Sequence, residues 1–274
     1  MPAVYAHKRF GDLVFEALPL RFQEAFEPYK DCFLLGLVGP DIFFYHKPFK
    51  ANETRKRALQ LHYDSGKEFF ISAAKKICSQ AVENFENTAL AAYTAGFICH
   101  FTLDNACHPR VYELEDTGVS HGRIESEFDK HILRKEGKRV FGENHSKHLK
   151  ATRQTITASA TILDAKESEL NRCVRTLKLI NGGFACRYVF AHKLVHALLK
   201  KLNMDEKFGG MLFHHEDETG CLTINDGLYQ DMVDGIPVAV QSICGFFNHL
   251  ETTARTGAID NIFDRDYRGG IIHE

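Results

Sequence analysis

Three residues in the stretch Ala89–Pro109 (ALAAYTAGFICHFTLDNACHP) have the types and spacing for chemistry: His100, Asp104 and His108, at i, i+4 and i+8. On a helix of about 3.6 residues per turn they fall roughly along one face. The residues before them are apolar nearly all round, the pattern of a buried helix. Two imidazoles and a carboxylate on a buried helix need partners for their polar atoms. A metal ion is the partner that fits those three residue types best.

The following segment, HGRIESEFD, repeats the logic with His121, Glu125 and Asp129, again at i, i+4 and i+8. Two consecutive helices joined by about a dozen residues can pack antiparallel, each presenting a His/carboxylate ladder to the other. Upstream the chain supplies His7, Asp41 and His62. The candidate ligand set is then His7, Asp41, His62, His100, Asp104, His108, His121 and Glu125. Zinc takes about four ligands, so the set suits two or three ions sharing a bridging carboxylate, most naturally Asp104. Sites of His and carboxylate without Cys also accept Fe, Mn, Co or Ni. Asp41 follows the breaker pair Gly39-Pro40 and is flanked by apolar residues, which suits either a helix cap or a functional group.

The other polar residues read more plainly. Asp129 lies a turn past the ladder and suits an outer support or an ion pair. His131 and His46 read as surface residues. His192 and His196 are spaced i, i+4 but have no carboxylate ladder beside them, so they read as structural. His214-His215-Glu216-Asp217 reads as a solvated loop, and Lys135–Arg139 as a solvated helix end.

These ladders need helices to hold them. Helical spacing runs on both sides of Pro19 between Gly11 and Tyr29, over Cys32–Val38, and over Arg57–Gln80, with Lys47–Arg55 as a polar loop. The helix of the first ladder ends at Pro109. The next runs from a Ser120 N-cap to Gly137. Residues 151–179 form one long amphipathic helix or two, broken by Gly182-Gly183. Phe184–Leu202 is helical, 205–221 is a loop, and Leu228–Arg255 is a last helical region around Pro237. Alternating strand patterns are scarce, so the expectation is an all-α fold, a single compact multi-helical domain over 1–274 with roughly eight to ten helices.

At 274 residues the chain can bury a large core without staples. With 22 Phe and no Trp, that core is Phe-rich. Lys plus Arg total 34 against 36 for Asp plus Glu, which gives no general nucleic-acid footprint. None of the eight cysteines forms a CxxC pair, which excludes zinc-ribbon and thioredoxin-like motifs. The start, MPAVYAHKRFGDL, has no signal-peptide h-region, and the longest apolar runs are too short to span a bilayer. The expectation is a cytoplasmic protein with reduced thiols and no transmembrane segment.

The pieces His7, GPDIFFYH, LH at His62, GFICHFTLDNACHP and HGRIESEFD together resemble the zinc-dependent phospholipase C family, whose superfamily also holds zinc-dependent single-strand nucleases. The resemblance covers about residues 1–130; the remainder matches in being helical. It implies the fold of that family and a metal-dependent phosphodiester hydrolase using a metal-activated water. It implies one zinc on His62, His100 and Asp104, a second on His108, His121 and Glu125, and a third involving His7 and Asp104. Asp41 would serve as base or water-orienting group. In secreted relatives the processed N-terminus, usually Trp, chelates the third ion. Here Met removal would leave Pro2 ahead of His7, and a free N-terminal residue is expected to take that role. The substrate class is a phosphodiester, with phospholipid among the candidates. The alternatives are a single-strand nuclease or nucleotide phosphoesterase of the same superfamily, and a metal-binding helical protein without turnover.

Overall fold

The computed structural model describes residues 4–48, 50, 52–185, 187–201 and 212–270. Among them are twelve α-helices and no β-strand, so the fold is all-α. Helix α1 (Val4–Ala17) runs through Gly11 and buries Tyr5, His7, Phe10 and Val14. Pro19 separates it from α2 (Leu20–Phe26), and a short 3-10 turn leads into α3 (Lys30–Gly36). Gly39 then takes a left-handed φ of 56°, a conformation glycine adopts at no steric cost. It starts the 3-10 segment Gly39–Tyr45, which buries Asp41.

The single helix expected over Arg57–Gln80 is two, α4 (Glu53–Tyr63) and α5 (Gly66–Cys78). Each carries its own cap: the Asn52 side chain accepts from the Arg55 N–H at 3.0 Å, and Ser65 Oγ from the Lys67 N–H at 3.2 Å. The Asn52 cap is also why the polar run Lys47–Arg55 ends inside a helix. Thr88 caps α6 (Ala89–Glu115), the ladder helix.

Helix α6 does not end at Pro109; it carries the proline inside and continues to Glu115. A mid-helix proline forfeits one backbone hydrogen bond and strains the preceding turn. Here Cys107, His108, Val111 and Leu114 stay buried on both sides of it, and that packing outweighs the loss. Helix α7 (His121–Lys135) follows; Ser120 occupies its N-cap position, but its side chain makes no capping bond.

The 151–179 region is two helices, α8 (Arg153–Leu163), opened by a Thr152–Thr155 capping box, and α9 (Glu167–Phe184). They part at Asp164, left-handed at φ 48°, while Gly182-Gly183 falls inside α9. Next are α10 (Val189–Lys201) and α11 (Thr219–Asn248), which starts inside the loop expected over 205–221 and passes through Pro237. The described chain closes with α12 (Leu250–Thr256), a 3-10 turn at Asn261–Asp264, and a loop to Gly270.

Helix α6 is the axis. Helices α3 and α11 lie along it, with α1, α5, α7 and α8 around it. At the α3 crossing Gly36 meets Gly96; a Cβ on either would overlap the opposing backbone. The close approach matters because α3 delivers the Leu37 carbonyl to His100. Around the α6 axis Phe70, Phe97, Phe101, Phe246 and Phe263 pack edge and face, each burial contributing on the order of 2–3 kcal/mol.

Candidate metal centre

All eight candidate side chains converge. His62 Nε2 lies 2.9 Å from Asp41 Oδ1. His7 Nε2 lies 3.3 Å from Asp104 Oδ1, and His100 Nε2 lies 3.2 Å from Asp104 Oδ2. His108 Nε2 stands 4.0 Å from Asp104 and 3.9 Å from Glu125, and His121 Nε2 3.4 Å from Glu125. Their ligand atoms form three groups, each within 4.8 Å internally: His62 with His100 and Asp104, His108 with His121 and Glu125, and His7 with Asp41 and His100. The last group puts Asp41 within ligand reach as well as beside the others. Residues 1–3, on which the expected N-terminal chelation falls, lie outside the described residues.

The outer nitrogens explain the orientation of the inner ones. His100 Nδ1 bonds the Leu37 carbonyl at 3.1 Å, His62 Nδ1 the Ala58 carbonyl at 2.7 Å, and His108 Nδ1 the Tyr267 carbonyl at 2.6 Å. His121 Nδ1 meets Glu115 Oε2 at 3.2 Å. An imidazole that donates outward from Nδ1 keeps its Nε2 lone pair for the centre, as a metal-ligating histidine does. Gly39 makes room for this, since a Cβ there would collide with the His100 ring. The His7 ring stacks on His100 at 4.3 Å.

The residues fit zinc by the chemistry of the donor set, imidazole nitrogen and carboxylate oxygen. They fit it also by what they leave unsatisfied: His100 Nε2 and Asp41 Oδ1 are buried, and their contacts to Asp104 and His62 lack hydrogen-bond geometry. Buried polar atoms are rarely left so. A cavity of about 20 Å³ lies among His7, Asp104, His108 and Glu125, room for one ion or one water.

The electrostatics agree. Burial pushes the Asp104 carboxyl up, but His100 and His108 hold it well below the usual carboxylate range. Burial acts likewise on Glu125, and His121 and His108 hold it low. His108 shows the reverse: burial lowers it, while Asp104 and Glu125 raise it to about 9. The centre is built to hold positive charge.

Asp129 does not face the centre. Its two oxygens accept the Tyr5 and Ala6 N–H groups at 3.1 and 2.8 Å, so it caps α1 from α7 and thereby sets His7. His46 pairs with Glu169 at 3.5 Å, and His131 with Asp226 at 3.3 Å, both away from the ladder. His192, His196, His214 and His215 gather with one another instead.

Tyr267 is the residue the sequence reading lacked. Its carbonyl fixes His108, its N–H donates to the His62 carbonyl at 3.3 Å, and its ring lies 5.1 Å from that of His62. Asp266 folds the loop that presents it, accepting from Arg268 and Gly270 N–H. No motif marks a residue that serves through its backbone.

The family model described as Zinc dependent phospholipase C matches residues 6–178, reaching well past the motif-bearing segment. No curated protein and no solved structure matches the chain.

Proposed function

We propose that this chain, which belongs to the zinc dependent phospholipase C family, hydrolyses a phosphodiester, and that the phosphodiester is a phospholipid. One observation carries the reading: imidazoles anchored outward at Nδ1 converge through Nε2 on Asp41, Asp104 and Glu125. In this reading His62, His100 and Asp104 hold one ion, and His108, His121 and Glu125 a second. His7 and Asp104 contribute to a third. Bound there, zinc supplies Lewis acidity toward phosphoryl oxygens and brings a water's pKa to about 7.

The chain's own groups do the rest. Asp41 is buried, and its Oδ1 lies 2.9 Å from His62 Nε2 without the geometry of a hydrogen bond. It orients the attacking water and accepts its proton. Asp104, flanked by His7, His100 and His108, would be the carboxylate shared between ion positions. His62 and His121 are the more exposed members of the set, so the opening lies on their side. Tyr112, 5.6 Å from both the His108 and His121 rings, borders it. An aromatic rim suits a substrate with an apolar leaving group.

The test is turnover by zinc-loaded protein on phosphatidylcholine in mixed micelles, read as diacylglycerol release, beside a soluble aryl phosphodiester and a single-stranded oligonucleotide. Release of diacylglycerol, abolished by chelation and restored by zinc, is the expected result. Turnover confined to the oligonucleotide would transfer the substrate to nucleic acid. Full metal content with no turnover on any of the three would leave a metal-binding helical protein.

A further inference from the structure

Helix α10 faces the wrong way for a helix whose contacts are all with its own chain. Phe190, Leu194 and Leu198, at i, i+4 and i+8, are 71%, 69% and 52% exposed. Tyr188 and Val189 beside them are exposed as well. The buried side carries His192, whose ring meets those of His214 and His215 at 4.8 and 5.7 Å. A helix on the surface of a globular protein ordinarily turns its apolar stripe inward and its polar side to water. Here the buried residues are one imidazole and one leucine, Leu199, while a phenylalanine and two leucines are outside.

The charges say what the outer face meets. Arg187, Lys193, Lys200 and Lys201 are exposed, and no Asp or Glu occurs between residues 187 and 201. An apolar stripe on a helix whose own charged residues are all cations is complementary to an apolar phase with an anionic surface. A second copy of the same helix would bring two sets of cations together with no carboxylate on either helix.

We propose that the outer face of α10 docks this protein on an anionic phospholipid surface. The helix has 13 residues, about 20 Å at roughly 1.5 Å per residue. That is shorter than a hydrocarbon core of about 30 Å, and no helix among the described residues is long and apolar enough to cross a membrane. Helix α10 therefore lies in the plane of the interface. Phe190, Leu194 and Leu198 enter the boundary between headgroups and acyl chains, and the lysines reach the phosphates along their aliphatic stems. The proposal extends the phospholipase reading by supplying the surface that brings the centre to aggregated substrate.

The experiment is co-sedimentation with phosphatidylcholine vesicles, with and without phosphatidylserine, on ice. Wild type is expected to pellet with the serine-containing vesicles and to be released by salt. The triple variant Phe190→Ser/Leu194→Ser/Leu198→Ser is expected to bind at least about tenfold more weakly. Lys193→Glu/Lys200→Glu/Lys201→Glu, which touches only exposed side chains, is expected to lose the preference for anionic lipid. Both variants should keep wild-type hydrolysis of a soluble aryl phosphodiester. Vesicle binding needs no turnover, so it stands or falls apart from the assigned reaction. Wild type that stays in the supernatant, or a serine variant that pellets as well as wild type, overturns the proposal. So does light scattering that shows a wild-type dimer split by the serine variant with lipid binding unchanged; a second copy would then be the occupant.

Discussion

Two histidine clusters in this chain end differently. Around Asp104 and Glu125, the Nδ1 atoms of His62, His100, His108 and His121 are tied to carbonyls or to Glu115, and their Nε2 atoms point at carboxylates. Around His192 the rings pack on each other, and His215 stacks on Phe141 at 4.1 Å. There His192 Nε2 and His215 Nε2 make no hydrogen bond. Among the described residues, the groups whose ligand atoms converge are those of the first cluster. Histidine number alone does not make a candidate metal centre; a carboxylate between the rings and an acceptor behind each of them does.

The largest expected effect breaks that contrast at its middle. Asp104→Asn should cost most of the bound zinc and essentially all turnover, since it removes the carboxylate shared by His7, His100 and His108. His192→Asn should leave both unchanged. Metal content by mass spectrometry decides it; an Asp104→Asn protein with a full complement would refute the shared position. Asp41→Asn comes next. Because Asp41 serves as base in the proposed reaction, the variant should keep most of its metal while kcat falls by about 10²–10⁴-fold. A parallel loss of metal would make Asp41 a ligand, as its approach to His7 and His100 allows.

His108 and His192 should also answer pH with opposite sign once metal is stripped. His108 is raised to about 9. It contributes stability that is fully present below about pH 6.5 and lost as pH rises through about 9, of order 3 kcal/mol. His192 is lowered, by burial first and then by His215 and His196. Its contribution is present above about pH 6.5 and lost as pH falls below it. Thermal melts of chelated protein should therefore fall toward alkaline pH in wild type and less so in His108→Gln. The fall toward acid should be the one His192→Gln reduces. Equal alkaline profiles for wild type and His108→Gln would contradict the charge state assigned to the centre.

The difference between the clusters was half legible in the sequence. Carboxylates at helical spacing from His100 and His121 are side-chain facts, and they picked out the first cluster and left His192 and His196 aside. The acceptors behind the rings are mostly backbone carbonyls, of Leu37, Ala58 and Tyr267. Every residue has one, so no pattern reveals which is used. Asp129, read as an outer support, is one, but its partners are again backbone groups, the amide ends of α1, which no pattern names. Helix boundaries failed where packing overrode local chemistry. Pro109 reads as a stop, but Arg110 pairs with Asp231 of α11 at 2.6 Å and the turns on both sides are buried. Asp64-Ser65 looks continuous with its neighbours, yet the Ser65 cap starts a new helix there.

The smallest expected effect isolates the acceptor alone. Among the four anchored imidazoles, His121 is the one whose acceptor is a side chain, Glu115, at 3.2 Å. It is therefore the one whose support can be deleted without touching a ligand. Glu115→Ala should leave the fold and the His62–His100–Asp104 group intact. It should also free the His121 ring to turn, weakening zinc at His108, His121 and Glu125 by roughly 10–100-fold. Glu115 is partly exposed, and screening by solvent places the effect toward the lower end of that range. Competition against a graded chelator should then show one ion released early and the remainder at wild-type chelator concentration. Release of every ion at the wild-type concentration would mean that the Glu125 contact and the packing of α7 suffice to orient His121. The contrast between the clusters would then rest on the carboxylates alone.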